Sequence, residues 1–469
     1  MKADIERVTF APAKHFQRVL LQQGRVQLPA DWNEQVDILL AGMRTLAADL
    51  IGPWGGSPGA FRIDTVGAGR EDFTIGTGHY YVDGILCDNL PGDGGETARY
   101  LRQPYYPVPD RDKLDAPHGT NQYLVYLDVW ERLVTAAEDE DIREVALGGP
   151  DTAARTQVVW QVKARQFAED DLAGLDCQSI RTRWPDLLDD LRPAYRGQLR
   201  ARARIPEDEL NRPCAIDPRA GYRHDENALF RVEVHTPGPA EVATFSWSLD
   251  NGSVAFPVES FSGNVVHLAN LGRDARSTLE PGDWVELEYD TYVLQGRAEP
   301  LFQVVSVDYL DLVVELNRAP APVPANEYPR LRRWDQKGTK REPLQADGTV
   351  QIVEAATPDG GWINLRYGVQ VQFVQTVAGS PPLPANHYQT GDYWLIPART
   401  ALGDVRWPQT QDVTGIQRPA ALPPNGVEHH YAPLAWIAVA ADGTVTVRQR
   451  FVRQIQELAA CPEHPDGGM

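Results

Sequence analysis

A mainly β, multidomain fold with few helices is what this sequence predicts, and three observations carry the prediction. Glycine (39 residues) and proline (37) are frequent enough in 469 residues to demand many turns and to interrupt long helices. Short runs of alternating apolar and polar residues, bounded by turn residues, recur along most of the chain. Strong helical spacing is concentrated in one segment near the amino end. The expected architecture is an N-terminal arm and amphipathic helix followed by small β-sandwich or barrel domains.

Residues 1–52 read as an attachment arm and an oligomerisation helix. The stretch LLQQGRVQLPADWNEQ (20–35) sets a strand-like apolar run directly before a helix start. Val36, Leu39, Leu40, Met43, Leu46, Ala47 and Leu50 follow at helical spacing and define one apolar stripe. Asp31 stands where an N-cap is expected, Glu34 completes a capping box, and Gly52-Pro53 stops the helix. Within the stripe Val36, Leu40, Met43, Ala47 and Leu50 keep the alternating four-three spacing of a coiled-coil seam. Two packings satisfy that pattern: against the chain's own domain, which is the commoner case, or against other copies.

Residues 53–165 read as a first β-rich domain, with short strands at FRI, FTI and YYVDGIL and longer ones at 121–134 and 158–165. Residues 166–224 turn charged and partly helical, which suits an insertion or connector; they carry Arg192, Arg196, Arg200, Arg202 and Arg204. Residues 225–330 read as a second β-rich domain, a small barrel or sandwich, with Asn251-Gly252 as a hairpin-type dipeptide. After the proline-rich break RAPAPVPANEYP, residues 331–456 read as a third β-rich domain with Asp442-Gly443 as a turn. The tail, 457–469, is expected to be disordered.

A formal net charge of -20 repels nucleic acid and anionic membrane surfaces. No run approaches the ~18 apolar residues of a membrane span, so no membrane insertion is expected. MKADIERVTF places charges where a signal peptide needs its apolar region, which implies synthesis in the cytoplasm and any later release as part of a particle. Cys87, Cys177, Cys214 and Cys461 lie far apart without a C-x-x-C pair and read as reduced thiols.

No catalytic residue, cofactor or metal is expected. P-loop, G-x-G-x-x-G and H-E-x-x-H motifs are all missing from the sequence. His429 and His430 are neighbours, so on a strand their rings point to opposite faces and cannot converge on one ion. The acidic segments 138–144 and 168–174 lack the spacing of a calcium loop and read as solvated. The arginine cluster has the fork geometry that recognises phosphate, but in so acidic a chain it is expected to pair with acidic segments of the same or a neighbouring subunit. Tryptophan, at 12 copies, suggests a sugar-stacking platform as a rival role; most copies lie in alternating strands such as FSWSL and DYWLI and read as core or subunit contacts.

Taken in order, TFAPAKHFQRVLLQQGRVQLPADWNEQ, HYYVDGILCDN, LFRVEVH, FSWSLDNGSV, GDWVEL, LRRWDQ, GVQVQF, GDYWLIPARTALGDVRWP and EHHYAPLAWI resemble a bacterial family of unknown-function domains encoded with phage-tail-like contractile injection systems. The opening is also similar to the start of phage fibre and baseplate-attached proteins, in which K-x-x-x-x-V-L-x-x-x-G-R precedes D/E-x-N-E and a helix. Lys14, Val19, Leu20, Gly24, Arg25, Asp31, Asn33 and Glu34 occupy those positions. The resemblance implies a non-enzymatic attachment module of a tail-like particle, commonly three-fold symmetric. Its partners would be its own copies as a homotrimer, other particle proteins of baseplate, sheath or collar, and target-cell surface glycans. Fibre, baseplate and collar positions stay open, and a carbohydrate-binding or polysaccharide-degrading β-rich protein is the reading from another class.

Overall fold

The computed structural model describes every residue except 68–69, 92–95, 116–119, 190, 192–195, 205–220, 273, 275, 340–341, 376–384, 412–414 and 456–469. Arg192, Cys214, Cys461 and the tail expected to be disordered lie outside the described residues. The fold is β-rich, with strands in several sheets, one closed six-stranded barrel and few helices. Two compact units share the chain discontinuously: Met1–Ile5, Arg132–Gln157 and Leu191–Val427 form one, and Glu6–Glu131, Val158–Asp190 and Glu428–Met469 the other.

The unit that begins at Glu6 is built on a four-stranded antiparallel sheet in the order Val445–Arg450, His430–Ala440, Thr120–Val134, Arg155–Phe167. Asp442-Gly443 links the first two as expected, with Gly443 at φ +77°. Thr120–Val134 is buried through most of its length, around Leu124, Leu127 and Val129. Phe61, Tyr80 and Trp160 fill the same unit, with Phe61 edge-on to Trp160 at 5.0 Å.

A three-stranded sheet of the same unit joins Gly78–Val82 to Ile85–Asn89 through Asp83 and Gly84, both with positive φ (+47° and +81°). That is the left-handed pair a two-residue hairpin turn needs. Gly84 also lies so close to the first helix that an added Cβ would sit 2.0 Å from the carbonyl oxygen of Arg44. Gly84→Ala combines a strained φ with a backbone clash, so it is expected to lower stability by ~1–3 kcal/mol. Urea denaturation checks this; an unchanged midpoint would show that the helix is not seated on this turn.

The other unit contains a five-stranded sheet in the order Val350–Gln351, Thr244–Ser248, Ala228–Val234, Tyr393–Arg399, Asp404–Val405. A four-stranded sheet packs with it, and Phe230, Phe245, Trp247, Phe373, Tyr388 and Trp394 fill their shared core. Gln198–Ala203, inside the segment read as a connector, pairs along its length with Val369–Val374. The barrel follows the order Ala255–Ser262, Val265–Leu268, Val313–Leu316, Phe302–Asp308, Trp284–Glu288, Arg330–Trp334, and its interior is aliphatic and aromatic.

Asn251-Gly252 departs from expectation. Both residues take the left-handed conformation (φ +53° and +64°), but the flanking strands do not pair with each other. Thr244–Ser248 pairs within the five-stranded sheet, and Ala255–Ser262 enters the barrel. The dipeptide sets the local backbone sign, whereas partners with matching buried faces choose where each strand goes.

Candidate functional site

The candidate site is built on α1, Pro29–Ile51, and the arm before it. The helix starts three residues earlier than its capping pattern suggests. Leu28 occupies the N-cap without a side-chain cap, and Pro29 takes the first helical position, where its fixed φ suits the helix and its missing N–H costs nothing. Asp31 therefore sits in the first turn, where the positive end of the helix dipole favours its charge, and does not cap. Glu34 forms no capping box; its carboxylate accepts a 2.5 Å hydrogen bond from the Thr9 hydroxyl and ties the arm to the helix. Gly52 ends the helix as expected, its N–H donating to Ala48 at 2.8 Å.

The orientation of α1 is the central observation. Its side toward the rest of its unit, against Gly78–Val82 and Trp54–Gly56, is narrower and mixed: Ala30 and Ile38 are buried, Ala41, Arg44, Ala48 and Ile51 are partly covered, and the two isoleucines are its only large apolar side chains. Arg44 holds this side down with a two-pronged ion pair to Glu131 at 3.0 and 2.7 Å. Burial, Glu131 and Glu34 together raise the Asp37 carboxyl, while Arg44 draws it down.

The apolar side faces away. Val36 is 56% exposed, Leu40 36%, Met43 68% and Leu50 77%, with Ala47 half-buried between them. Trp32 (62%), Leu39 (57%) and Leu46 (60%) extend the same side. At 100° per residue these eight residues span roughly 120° of the helix, wider than the strict seam of a two-stranded coil. Trp32 was missed in the sequence reading of the stripe. The seven-residue spacing of Trp32, Leu39 and Leu46 was the signal that could have found it.

The arm presents most of its expected attachment residues to solvent. Lys14 lies over the Phe16 ring at 5.7 Å, and Leu20, Gly24, Arg25 and Asn33 are exposed. Gly24 takes φ +70° in a turn closed by Arg25 N–H to the Gln22 carbonyl. Val19 is half-buried, its N–H donating to Gln35 Oε1 at 2.8 Å. The strand-like run forms no strand, and Val8, Phe16, Leu20, Leu21 and Val26 are all at least half exposed.

The other candidates resolve into structural roles. His429 and His430 engage different carboxylates: His429 Nδ1 lies 2.7 Å from Asp128, and His430 Nδ1 lies 2.9 Å from Asp83. Asp128 is buried and also receives Lys163 Nζ at 2.6 Å; burial alone would raise it, but Lys163 and His429 hold it down to about 2. Among the described residues no three His, Cys, Asp or Glu side chains converge as a metal site, and no helix is long and apolar enough to cross a membrane. Trp247 and Trp394 are core residues as expected, as are Trp130, Trp334 and Trp407, and the most exposed tryptophan is Trp32 on α1.

In the acidic segment 138–144, Asp139, Glu140 and Asp141 are exposed, but Glu138 is buried and pairs with Arg330 at 3.0 Å. This belongs to an internal ion cluster. Arg332 binds both oxygens of Glu288 (2.9 and 2.8 Å), Arg330 reaches Glu288 at 3.1 Å, and Lys2 bridges Glu288 (3.0 Å) and Glu233 (2.8 Å). Arg231 pairs with Glu233. Burial works to raise Glu288, but Arg332, Lys2 and Arg330 overcome it and hold the carboxyl well below its ordinary range. Such mutual neutralisation lets the charged strand Arg330–Trp334 stay buried.

Comparison with curated proteins and with solved structures returned no match. One family model matches over residues 1–190 and 168–452, which together span most of the molecule, both units included. The chain belongs to the family described as "Family of unknown function (DUF6519)".

Proposed function

We propose that this protein is a non-enzymatic structural component that assembles through residues 6–52, with α1 helices from three copies packed around an axis and the arm docked on a further partner. The outward apolar stripe of α1 carries the reading. In a globular protein the apolar side of a helix packs inward, because burial supplies most of its stability. Here only Ile38 and Ile51 among the large apolar residues turn inward, and the wider apolar side, Trp32, Val36, Leu39, Leu40, Met43, Leu46 and Leu50, is left for other polypeptide.

A second copy of the same chain is the occupant that the pattern favours. The Val36, Leu40, Met43, Ala47, Leu50 seam has the spacing by which like helices interlock. The row Trp32, Leu39, Leu46 beside it widens the contact, which suits a helix touching two neighbours more than a helix touching one. An arm with exposed apolar side chains and no strand of its own matches strand addition to a partner's sheet edge.

The finer proposal is a fibre-like or baseplate-peripheral attachment protein of a contractile injection system or related tail-like particle. It rests on the resemblance of the opening phrase. Light scattering of the purified protein is expected to give about three times the chain mass of 52.1 kDa; a monomeric mass at micromolar concentration would remove the assembly reading. Mass spectrometry of tail-like particles from the producing cells is expected to find this chain, and its absence would remove the particle assignment alone.

A further inference from the structure

The arginines of the 192–204 segment do not share one fate. Arg196 pairs with Asp392 as the acidic background suggests. Arg200 and Arg202 instead line one face of the Gln198–Ala203 strand, with Arg204 just past its end, while Leu199 and Ala201 point into the core. Alternate positions on a strand stand ~7 Å apart, so these guanidinium groups form a row.

Amides hold the row in place. Across the pairing with Val369–Val374, Arg200 stands opposite Gln372 and Arg202 opposite Gln370. Arg200 Nη1 donates to Gln372 Oε1 at 3.1 Å, and Arg202 Nε donates to Gln370 Oε1 at 2.8 Å. The glutamines are themselves fixed: Gln370 donates to Asn364 Oδ1, and Gln372 donates to the carbonyls of Thr357, Pro358 and Gly360. The Arg202 guanidinium also lies 3.8 Å from the centroid of the Trp362 ring, which sets the plane of its fork.

Amide oxygens orient a guanidinium without neutralising it. Arg200 Nε is buried without an acceptor among the described residues. Arg418 adds a further positive charge nearby, and its 2.5 Å pair with the exposed Asp359 supplies a local carboxylate. Burial first, and neighbouring cations second, lower both guanidiniums, Arg202 to about 10 against the opposing pull of Asp359. In a chain with a net charge of -20, a preset and undercompensated cationic row is the opposite of the ordinary surface.

We propose that this face of the Gln198–Ala203 strand is an oxyanion-binding strip, whose ligand presents two carboxylate or phosphate groups to the forks of Arg200 and Arg202. Arg202 is the specific element, since the ring and Gln370 fix its plane and leave both Nη atoms to grip one oxyanion bidentately. Arg200 donates to the second group. The strip is independent of α1, so it stands or falls apart from the assembly reading.

Isothermal titration of the full-length protein at low ionic strength, with inorganic tripolyphosphate in one arm and citrate in the other, tests this. Binding of either probe that weakens with added salt is expected, and the tighter arm identifies the source of the oxyanion. R200Q/R202Q is expected to lose at least tenfold in affinity, with unchanged circular dichroism and mass. R202K keeps the charge but not the planar fork and should lose part of that affinity, whereas K113Q, at an exposed lysine of the other unit, should lose none. Failure of both probes to bind, or equal binding by wild type and R202K, would overturn the proposal.

Discussion

Replacing Leu40 and Met43 with aspartate is expected to turn the assembled protein into a folded single chain of 52.1 kDa. Both side chains are exposed in the single chain, Met43 at 68%, so they contribute little to its own core. Exposed substitutions of this kind change fold stability by about 0.5 kcal/mol or less. Between copies the balance differs. Each buried Leu or Met contributes ~1.5–3 kcal/mol, and the double change removes two per chain. It also places carboxylates where like charges would meet in a low-dielectric core, which disfavours association further.

Light scattering with circular dichroism reads both quantities on one sample. Loss of mass with the β-rich spectrum intact is the expected outcome; an unchanged mass with intact folding would show that the stripe is not the seam. Arg44→Ala separates the two sides of α1. It breaks the ion pair to Glu131 and loosens the helix from its unit, but leaves the apolar side untouched.

The second large effect is expected at Glu288. Glu288→Gln keeps the shape of the side chain but removes the charge that neutralises Arg332, Arg330 and Lys2. Breaking a buried ion pair by removing one partner costs ~3–5 kcal/mol, and here Arg332 would stay buried without its carboxylate while Arg330 keeps Glu138 and Lys2 keeps Glu233. A urea midpoint lowered by that amount at neutral pH is the expected result. A loss below about 1 kcal/mol would show that the cluster can rearrange around the amide.

Acid should reproduce the effect. Glu288 and Glu233 are both held below their ordinary value of 4.5, so the unfolded chain binds protons more readily than the folded one as the pH falls. Their contribution is fully present above that value and is lost as the pH drops through the lower folded values. Wild type should therefore lose stability steeply below pH ~4.5, and the Glu288→Gln variant less steeply. Unfolding curves collected between neutral and acid pH check the difference in slope.

Local chemistry was legible in the chain wherever a short segment controls its own backbone. Gly52-Pro53 ends α1, Asp442-Gly443 closes a hairpin, and the alternation in 121–134 and 158–165 marks the two longest strands of one sheet. The apolar periodicity of 36–50 was equally plain, because a stripe depends on spacing alone.

Partners were not legible. Periodicity states that α1 has an apolar side but not which way it turns; the seating of Arg44 on Glu131 and the close approach at Gly84 decide that it turns outward. The strand Gln198–Ala203 finds Val369–Val374 far along the chain, which no local pattern announces. Charge read along the sequence likewise made Glu138 look solvated, yet it is buried against Arg330. By itself the sequence determined the β-rich class, the turns at Gly52-Pro53 and Asp442-Gly443 and the existence of the stripe, since these follow from residues a few positions apart. Only the tertiary structure decided facing, strand partners and the pairing of charges, since each is set by burial against residues that are distant in sequence.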